Sequence, residues 1–412
     1  MNVIQVVGAR PNFMKVAPLH RAIKNLAGWT SKIVHTGQHF DAKMSDIFFT
    51  QLELPKPDFF LGIGGGSHTE VTAKIMLAFE KIVESEKPDL IIVVGDVTST
   101  LACTLVAIKM GIPLAHVEAG LRSGDRTMPE EINRILTDSV ANYLFVTEQS
   151  GLDHLKREGV PDEKVFFTGN VMIDSLVRYQ EKAKSSNILE ELGLQPSDLE
   201  NRREVSRLYD NNTDLENRRE VSRLYDNNTD LENRREVSRL YETDYIVMTM
   251  HRPANVDTET GLRSILELIE LSTAKTKVVF PIHPRTRSNM AKFGLEDALT
   301  QNKNLILTEP LGYLEFIQLM THSKAILTDS GGIQEETTYL GIPCLTFRDS
   351  TERPITVTLG TNQLLTDLNP KITFAALEEI LAGHHKKGQI PPLWDGHAAE
   401  RIAENLFNLF SK

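Results

Sequence analysis

The chain has 412 residues, 41% hydrophobic and 25% charged, with a formal charge of −11. At roughly 100–200 residues per domain, that length predicts two domains with their own cores, and the composition gives no case for disorder. The acidic balance excludes a general affinity for nucleic acid or anionic membrane, both of which require a positive face, and leaves open local basic sites for phosphate. Cys103 and Cys344 lie inside TLACTLVAI and GIPCLTF, read as small core residues, and give neither a disulfide framework nor a metal-ligand spacing.

The start, MNVIQVVGARP, lacks the basic-then-apolar pattern of a secretion signal and reads as a first strand. Runs such as LIIVV at 90–94 fall far short of the ~20 residues of a membrane span, so the expected location is the cytoplasm. Through residue 168, β-rich runs alternate with helix-period segments: VIQVV then MKVAPLHRAIKNL, LIIVV then STLACTLVAIKM, PLAHV then PEEINRILTDSV, and VFFTG. That is the signature of a parallel sheet covered by helices. A hinge is expected near Gly169 and Asn170.

DLENRREVSRLYDNNT then occurs at 198–213, recurs unchanged at 214–229, and returns in its first twelve residues at 230–241. Solenoid repeats usually have periods of 20–50 residues and tolerate substitution, whereas these 16-residue copies are identical and rich in charge. A tandem duplication in a surface connection is expected, as short solvated helices joined by turns, because each doubling of loop length costs only ~0.6 kcal/mol. A second β/α series begins at YIVMT (245–249) and runs through KVVFPI, NLILTEP and AILTDS, with a terminal helix around 397–411 free to pack on either domain. The expected fold is α/β with two doubly wound domains.

In open α/β sheets ligands bind outside the carboxyl ends of the strands. After the first strand stand Arg10 and Lys15, basic groups suited to a phosphate at a helix N-terminus, although Arg10 alone also suits a solvated loop. AILTDSGGIQEE ends a strand in Ser330-Gly331-Gly332 and starts a helix at once, so its N–H groups can receive a diphosphate while Glu335 or Glu336 accepts ribose hydroxyls; a tight turn with acids in the first helical turn is the alternative. Asp96 and Glu118 occupy the ends of two strands and should reach the cleft. Glu130 and Glu131 follow Pro129 at a helix start, and the i,i+4 spacing of Glu130 and Arg134 also permits a surface ion pair. His251 suits proton transfer or phosphate stabilisation; Arg348, Glu352 and Arg353 in FRDSTERP supply guanidinium groups or form a solvated loop; His39 and His283 are weaker candidates. GxGxxG after a strand, GxxxxGK[ST], GxSxG and HExxH are all missing.

GARPNFMK, HTGQHF, GDVTST, HVEAGLRS, MPEEINR, HRPANVD, PIHPRT, GYLEF, TDSGGIQEE and TERP together resemble the non-hydrolysing UDP-N-acetylglucosamine 2-epimerases, in the family's order and over nearly the whole chain outside 198–241. The resemblance implies a glycosyltransferase-B-type fold: a Rossmann-like domain over 1–169, a UDP-binding one over 170–393, and a terminal helix at about 394–412 that packs back on the first. It implies a homodimer, a UDP-sugar substrate, and neither redox cofactor nor metal. By motif, catalytic roles fall to Asp96, Glu118, Glu130 and His251. Nucleotide contacts fall to Arg10, Ser330, Gly331, Gly332, Glu336 and Arg353, with Lys15 and Arg134 nearby.

The implied reaction expels UDP as the C2 proton leaves, holds a 2-acetamidoglucal, and re-adds UDP with a proton on the opposite face. The sequence does not say which carboxylate is acid and which base. Gln38-His39 is followed by Phe40-Asp41, and GIGGGSHTEVT holds no arginine, so activation by substrate is not expected. Rival readings are a hydrolysing epimerase, an epimerase of a modified diacetamido sugar, a glycosyltransferase, and a sugar-nucleotide-binding scaffold.

Overall fold

The structure is a computed structural model that describes residues 1–37, 53, 56–194 and 244–411, with the side chain of Arg10 outside that set. The repeat at 198–241 and His39 lie outside the described residues.

The apolar runs of the first half form β1 (Asn2–Val7), β2 (Thr30–His35), β3 (Phe59–Phe60), β4 (Leu90–Val94), β5 (Leu114–Ala119), β6 (Tyr143–Val146) and β7 (Val165–Phe167). They make one sheet in the order β3-β2-β1-β4-β5-β6-β7, and every pairing is parallel. All five residues of LIIVV are buried, as a strand covered by helices on both faces requires. The second half forms β8 (Tyr245–Thr249), β9 (Lys277–Pro281), β10 (Leu305–Thr308), β11 (Ile326–Thr328), β12 (Cys344–Phe347) and β13 (Asn362–Leu365). This sheet is also parallel, in the order β10-β9-β8-β11-β12-β13. Strand order reverses beside β1 in one sheet and beside β8 in the other, the places where such sheets open a crevice.

The helices used below are α1 (Arg10–Lys24), α2 (His68–Glu86), α3 (Thr98–Lys109), α4 (Pro129–Val140), α5 (Gln149–Arg157), α6 (Val171–Ala183), α7 (Tyr313–Thr321), α8 (Gly331–Leu340), α9 (Pro354–Thr358) and α10 (Ala398–Phe410). Helix α6 packs against α1, α7, α8 and α10. Its Val171, Met172, Leu176 and Tyr179 share one apolar cluster with Phe13 and Met14 of α1, Tyr313 and Ile317 of α7, and Ile402 and Leu406 of α10. Each such side chain contributes roughly 1.5–3 kcal/mol on full burial, so this cluster ties the two halves together.

The chain leaves the first half through Gly169 (φ +85°), where a Cβ would lie 2.0 Å from the Leu393 carbonyl oxygen, so only glycine fits. Residues 393–398 return over the same place. The Trp394 indole N–H donates to the Thr147 carbonyl (3.0 Å), and Asp174 accepts the Ala398 and Ala399 N–H groups (3.1 and 2.6 Å), capping α10 from outside. Both cysteines are buried and free.

Candidate functional site

The carboxyl ends of the two sheets face one another across a cleft, and the first sheet brings the acids. β4 ends in Gly95 (φ +68°), after which the chain turns and presents Asp96. The Asp96 carbonyl accepts from Asn133 Nδ2 (2.8 Å), and its carboxylate pairs with Arg134. Arg134 is buried and pairs also with Glu131 (2.8 Å), whose oxygens accept the Ser123 and Gly124 N–H groups at 2.9 Å each. The possible i,i+4 surface pair with Glu130 is thus not formed: Arg134 lies on the inner face of α4 and turns toward Asp96. Glu130 is half-buried near Arg252 and weakens the repulsion that Arg252 feels from Arg348.

Glu118, at the end of β5, has φ +77°, beside a register shift between Val117 and Ala119. A non-glycine residue in that region costs of order 1–3 kcal/mol and persists only where its surroundings hold it. Here two cations do so. Lys15 from α1 pairs with Oε2, and Arg353 reaches across the cleft to Oε1 (2.6 Å). Burial opposes the Glu118 charge, but Lys15 and Arg353 outweigh it and hold the carboxyl below the usual range. Asp96 goes the other way. Burial, aided by the Glu118 charge, pushes its carboxyl up against the pull of Arg134, although 29% of its side chain still meets solvent.

The second sheet brings an anion seat. Ser330 caps α8 with no side-chain bond to the helix, so the first N–H groups of α8 face the cleft with the positive end of the helix dipole. A Cβ on Gly331 would sit 3.0 Å from Glu352 Oε1 and 3.3 Å from Arg353 Nη1, and one on Gly332 would sit 3.2 Å from Met172 Cε. Beside this turn Arg348 pairs with Glu352 (2.8 Å) while its Nη1 is buried with no hydrogen-bond partner among the described residues. Arg353 is spent on three carboxylates: Glu118, Glu335 (2.7 Å) and Glu352 (2.6 Å). Glu352 is held far below its usual range, Arg353 and Arg348 prevailing over burial.

His251 follows β8 with its Nδ1 2.8 Å from Asp329 Oδ1 and 40% of its side chain exposed to the cleft. Asp329 also accepts the His251 and Arg252 N–H groups (2.9 and 2.8 Å), which fixes the ring and leaves Nε2 for the cleft. The His283 ring lies 5.5 Å away, centroid to centroid. Glu336, by contrast, accepts from the Tyr313 hydroxyl (3.0 Å) in the wall of the cleft, and burial pushes its carboxyl up to about 8.

The structure therefore gathers Asp96, Glu118, Lys15, Arg134 and Arg353 into one network, with His251 and the Ser330-Gly331-Gly332 turn on the facing rim. Glu130 stands at its edge. Arg10 opens α1 directly after β1, with its side chain outside the described residues. Sequence reasoning missed Asp329, His116 and Asp138. Asp329 had a legible signal, an acid between a buried strand and a glycine turn; the others gave none, since only the fold brings them to the acids. No group of three or more His, Cys, Asp or Glu side chains is placed to hold a metal among the described residues, and none of their helices is long and apolar enough to cross a membrane.

The chain matches the UDP-N-acetylglucosamine 2-epimerase family over residues 21–200 and 212–407. It is 38% identical over 409 residues to a UDP-N-acetylglucosamine 2-epimerase of Methanocaldococcus jannaschii, covering 98% of this chain and 99% of that one. The crystal structure of the M. jannaschii enzyme with UDP-GlcNAc and UDP superposes with a TM-score of 0.80, at 36% identity over 99% of this chain and 100% of the other. A UDP-2,3-diacetamido-2,3-dideoxy-D-glucuronate 2-epimerase of Pseudomonas aeruginosa is 37% identical over 412 residues, covering 99% of this chain and 100% of that protein. The fold is two Rossmann-like domains of the glycosyltransferase-B type, and the chain belongs to the UDP-N-acetylglucosamine 2-epimerase family.

Proposed function

We propose that the protein interconverts UDP-N-acetylglucosamine and UDP-N-acetylmannosamine without hydrolysis. The observation that carries this reading is the Lys15–Glu118–Arg353 bridge, which sets the acids of the first sheet against the bare N-terminus of α8. A pyranose C2 proton has no adjacent carbonyl to stabilise a carbanion, so its removal must be coupled to loss of UDP. The C1–O bond breaks as the proton leaves, giving 2-acetamidoglucal and UDP. Re-addition of UDP with a proton on the other face gives the epimer.

Asp96, pushed up by burial, is suited to carry a proton, and Glu118 to stay ionised and orient Lys15 and Arg353. Glu130 and His251 are the candidates for the second proton-handling group, as two faces require two. The α8 N–H groups and Arg348 Nη1 would hold the departing diphosphate, with Arg10, which opens α1 directly after β1, a further candidate. Glu336 would serve the ribose after releasing Tyr313.

The test is proton NMR of the purified protein with UDP-N-acetylglucosamine in D₂O, without added NAD or metal. UDP-N-acetylmannosamine with deuterium at C2 is expected. Free N-acetylmannosamine plus UDP would show a hydrolysing enzyme instead. The P. aeruginosa relative favours a second reading, a diacetamido uronate substrate, whose carboxylate Arg252 could meet; a kcat/KM higher for that sugar would establish it.

We also propose a cytoplasmic homodimer. The free cysteines suit a reducing compartment. Helix α4 exposes Ile132, Leu136 and Val140 at successive i,i+4 positions, and α2 exposes Leu77 in the same layer. Leu136→Asp should shift the protein to a monomer in sedimentation. The domain division we propose follows the chain crossings at 168–170 and 393–396.

A further inference from the structure

Between the two acids lies a buried pair with no assigned role. His116 of β5 is fully buried, its Nδ1 2.6 Å from Asp138 Oδ1 and its Nε2 2.8 Å from the Gly95 carbonyl oxygen. Gly95 immediately precedes Asp96. The other Asp138 oxygen accepts the Gly120 N–H (3.0 Å) and pairs with Arg122 (2.7 Å). Residues 116 and 120 flank Glu118 by two positions on either side, so the two oxygens of one carboxylate bracket the left-handed residue.

We propose that His116 and Asp138 form a positioning pair that aims both acids: through the Gly95 carbonyl they set the peptide that carries Asp96, and through the bracket they hold Glu118 in its strained turn. Neither touches the cleft, so both act through other residues. A carbonyl oxygen can only accept, so Nε2 donates to Gly95. On its other side Nδ1 meets Asp138 Oδ1, so the ring is gripped at both nitrogens. Arg122 is fixed in turn by Glu158 (2.7 Å), which anchors the brace to the end of α5. The same α4 face supplies Asn133 to the Asp96 carbonyl and Arg134 to its carboxylate, so this helix positions the acids from three places.

The kinetic test rests on the proposed epimerase activity; the structural one does not. His116→Gln keeps an amide near the Nε2 position, to reach Gly95, and loses the bond to Asp138. His116→Asn keeps the Nδ1 position and loses Gly95, while Asp138→Asn removes the charge. Each is expected to lower kcat on the order of a hundredfold, with KM and UDP affinity by calorimetry within about twofold of wild type. A pair that merely supports the fold would lower thermal midpoint and UDP affinity together and leave turnover per folded molecule unchanged, and that result would overturn the proposal.

Nitrogen-15 NMR of histidine-labelled wild type gives the independent reading. Hydrogen-bonded shifts at both His116 ring nitrogens are expected, the Nδ1 shift moving in Asp138→Asn; a ring with either nitrogen unbonded would overturn the bracket. A wild type that leaves C2 unexchanged would overturn the functional reading, while this NMR signature would still decide the pair.

Discussion

The two rims of the cleft solve different problems with the same fold. On the first sheet the two strand-end acids are gripped: Asp96 by Asn133 and Arg134, Glu118 by Lys15 and Arg353 from opposite domains. On the second sheet the seat is left open among the described residues, with no side chain capping α8 and one Arg348 nitrogen unspent. Around that seat His251 is held by Asp329, and Arg353 by Glu335 and Glu352. The contrast shows where each rim places its interactions: proton transfer needs carboxylates at fixed points, whereas a departing diphosphate needs donors free to receive it.

If the rims are separable, a change on one should spare the work of the other. The largest effect is expected from Asp96→Asn, which should lower kcat by about 10²–10⁴ while UDP affinity holds; loss of UDP binding would show that the rims are one site. Gly331→Ala should do the reverse. Its Cβ presses on Glu352 and Arg353 at 3.0 and 3.3 Å, so UDP affinity should fall about tenfold and 2-acetamidoglucal should escape into solution, detectable by chromatography.

The smallest effect concerns Glu148, buried behind Arg353, whose carboxyl burial pushes up from 4.5 to about 7 against the Ser150 hydrogen bond and the Arg353 charge. Between those values the folded state keeps a proton that the unfolded state has released, so stability falls as pH rises through that window. Glu148→Gln removes the penalty. Its unfolding free energy, from denaturant titration, should exceed that of wild type above pH 7 by an amount of order 1–3 kcal/mol and converge with it below about pH 4.5.

Much of this was legible in the chain. The strands at 90–94 and 245–249 were plain because buried parallel strands are continuous apolar runs, and the Ser330 turn because glycines between strand and helix have few other uses. What stayed hidden was partnership. Arg134 looked free to pair with Glu130 along the helix surface, and only the packing of α4 on the sheet shows that it faces inward. Arg353 reads as a phosphate ligand, and its sequence gives no sign of the three carboxylates it lies among, drawn from both halves of the molecule. The positive φ of Glu118 left no mark in sequence, because a strained residue is held by distant neighbours and not by its own type.

The most direct test of the division between the rims is positional isotope exchange in UDP-N-acetylglucosamine labelled with oxygen-18 at the bond between C1 and the diphosphate. If the acids take the C2 proton while the α8 seat receives UDP, the label should scramble into the non-bridging β-phosphate oxygens along with deuterium entry at C2 in D₂O. Deuterium entry with the label fixed in the bridge, in Gly331→Ala with its loosened seat as well as in wild type, would mean that UDP never departs, and would contradict the account.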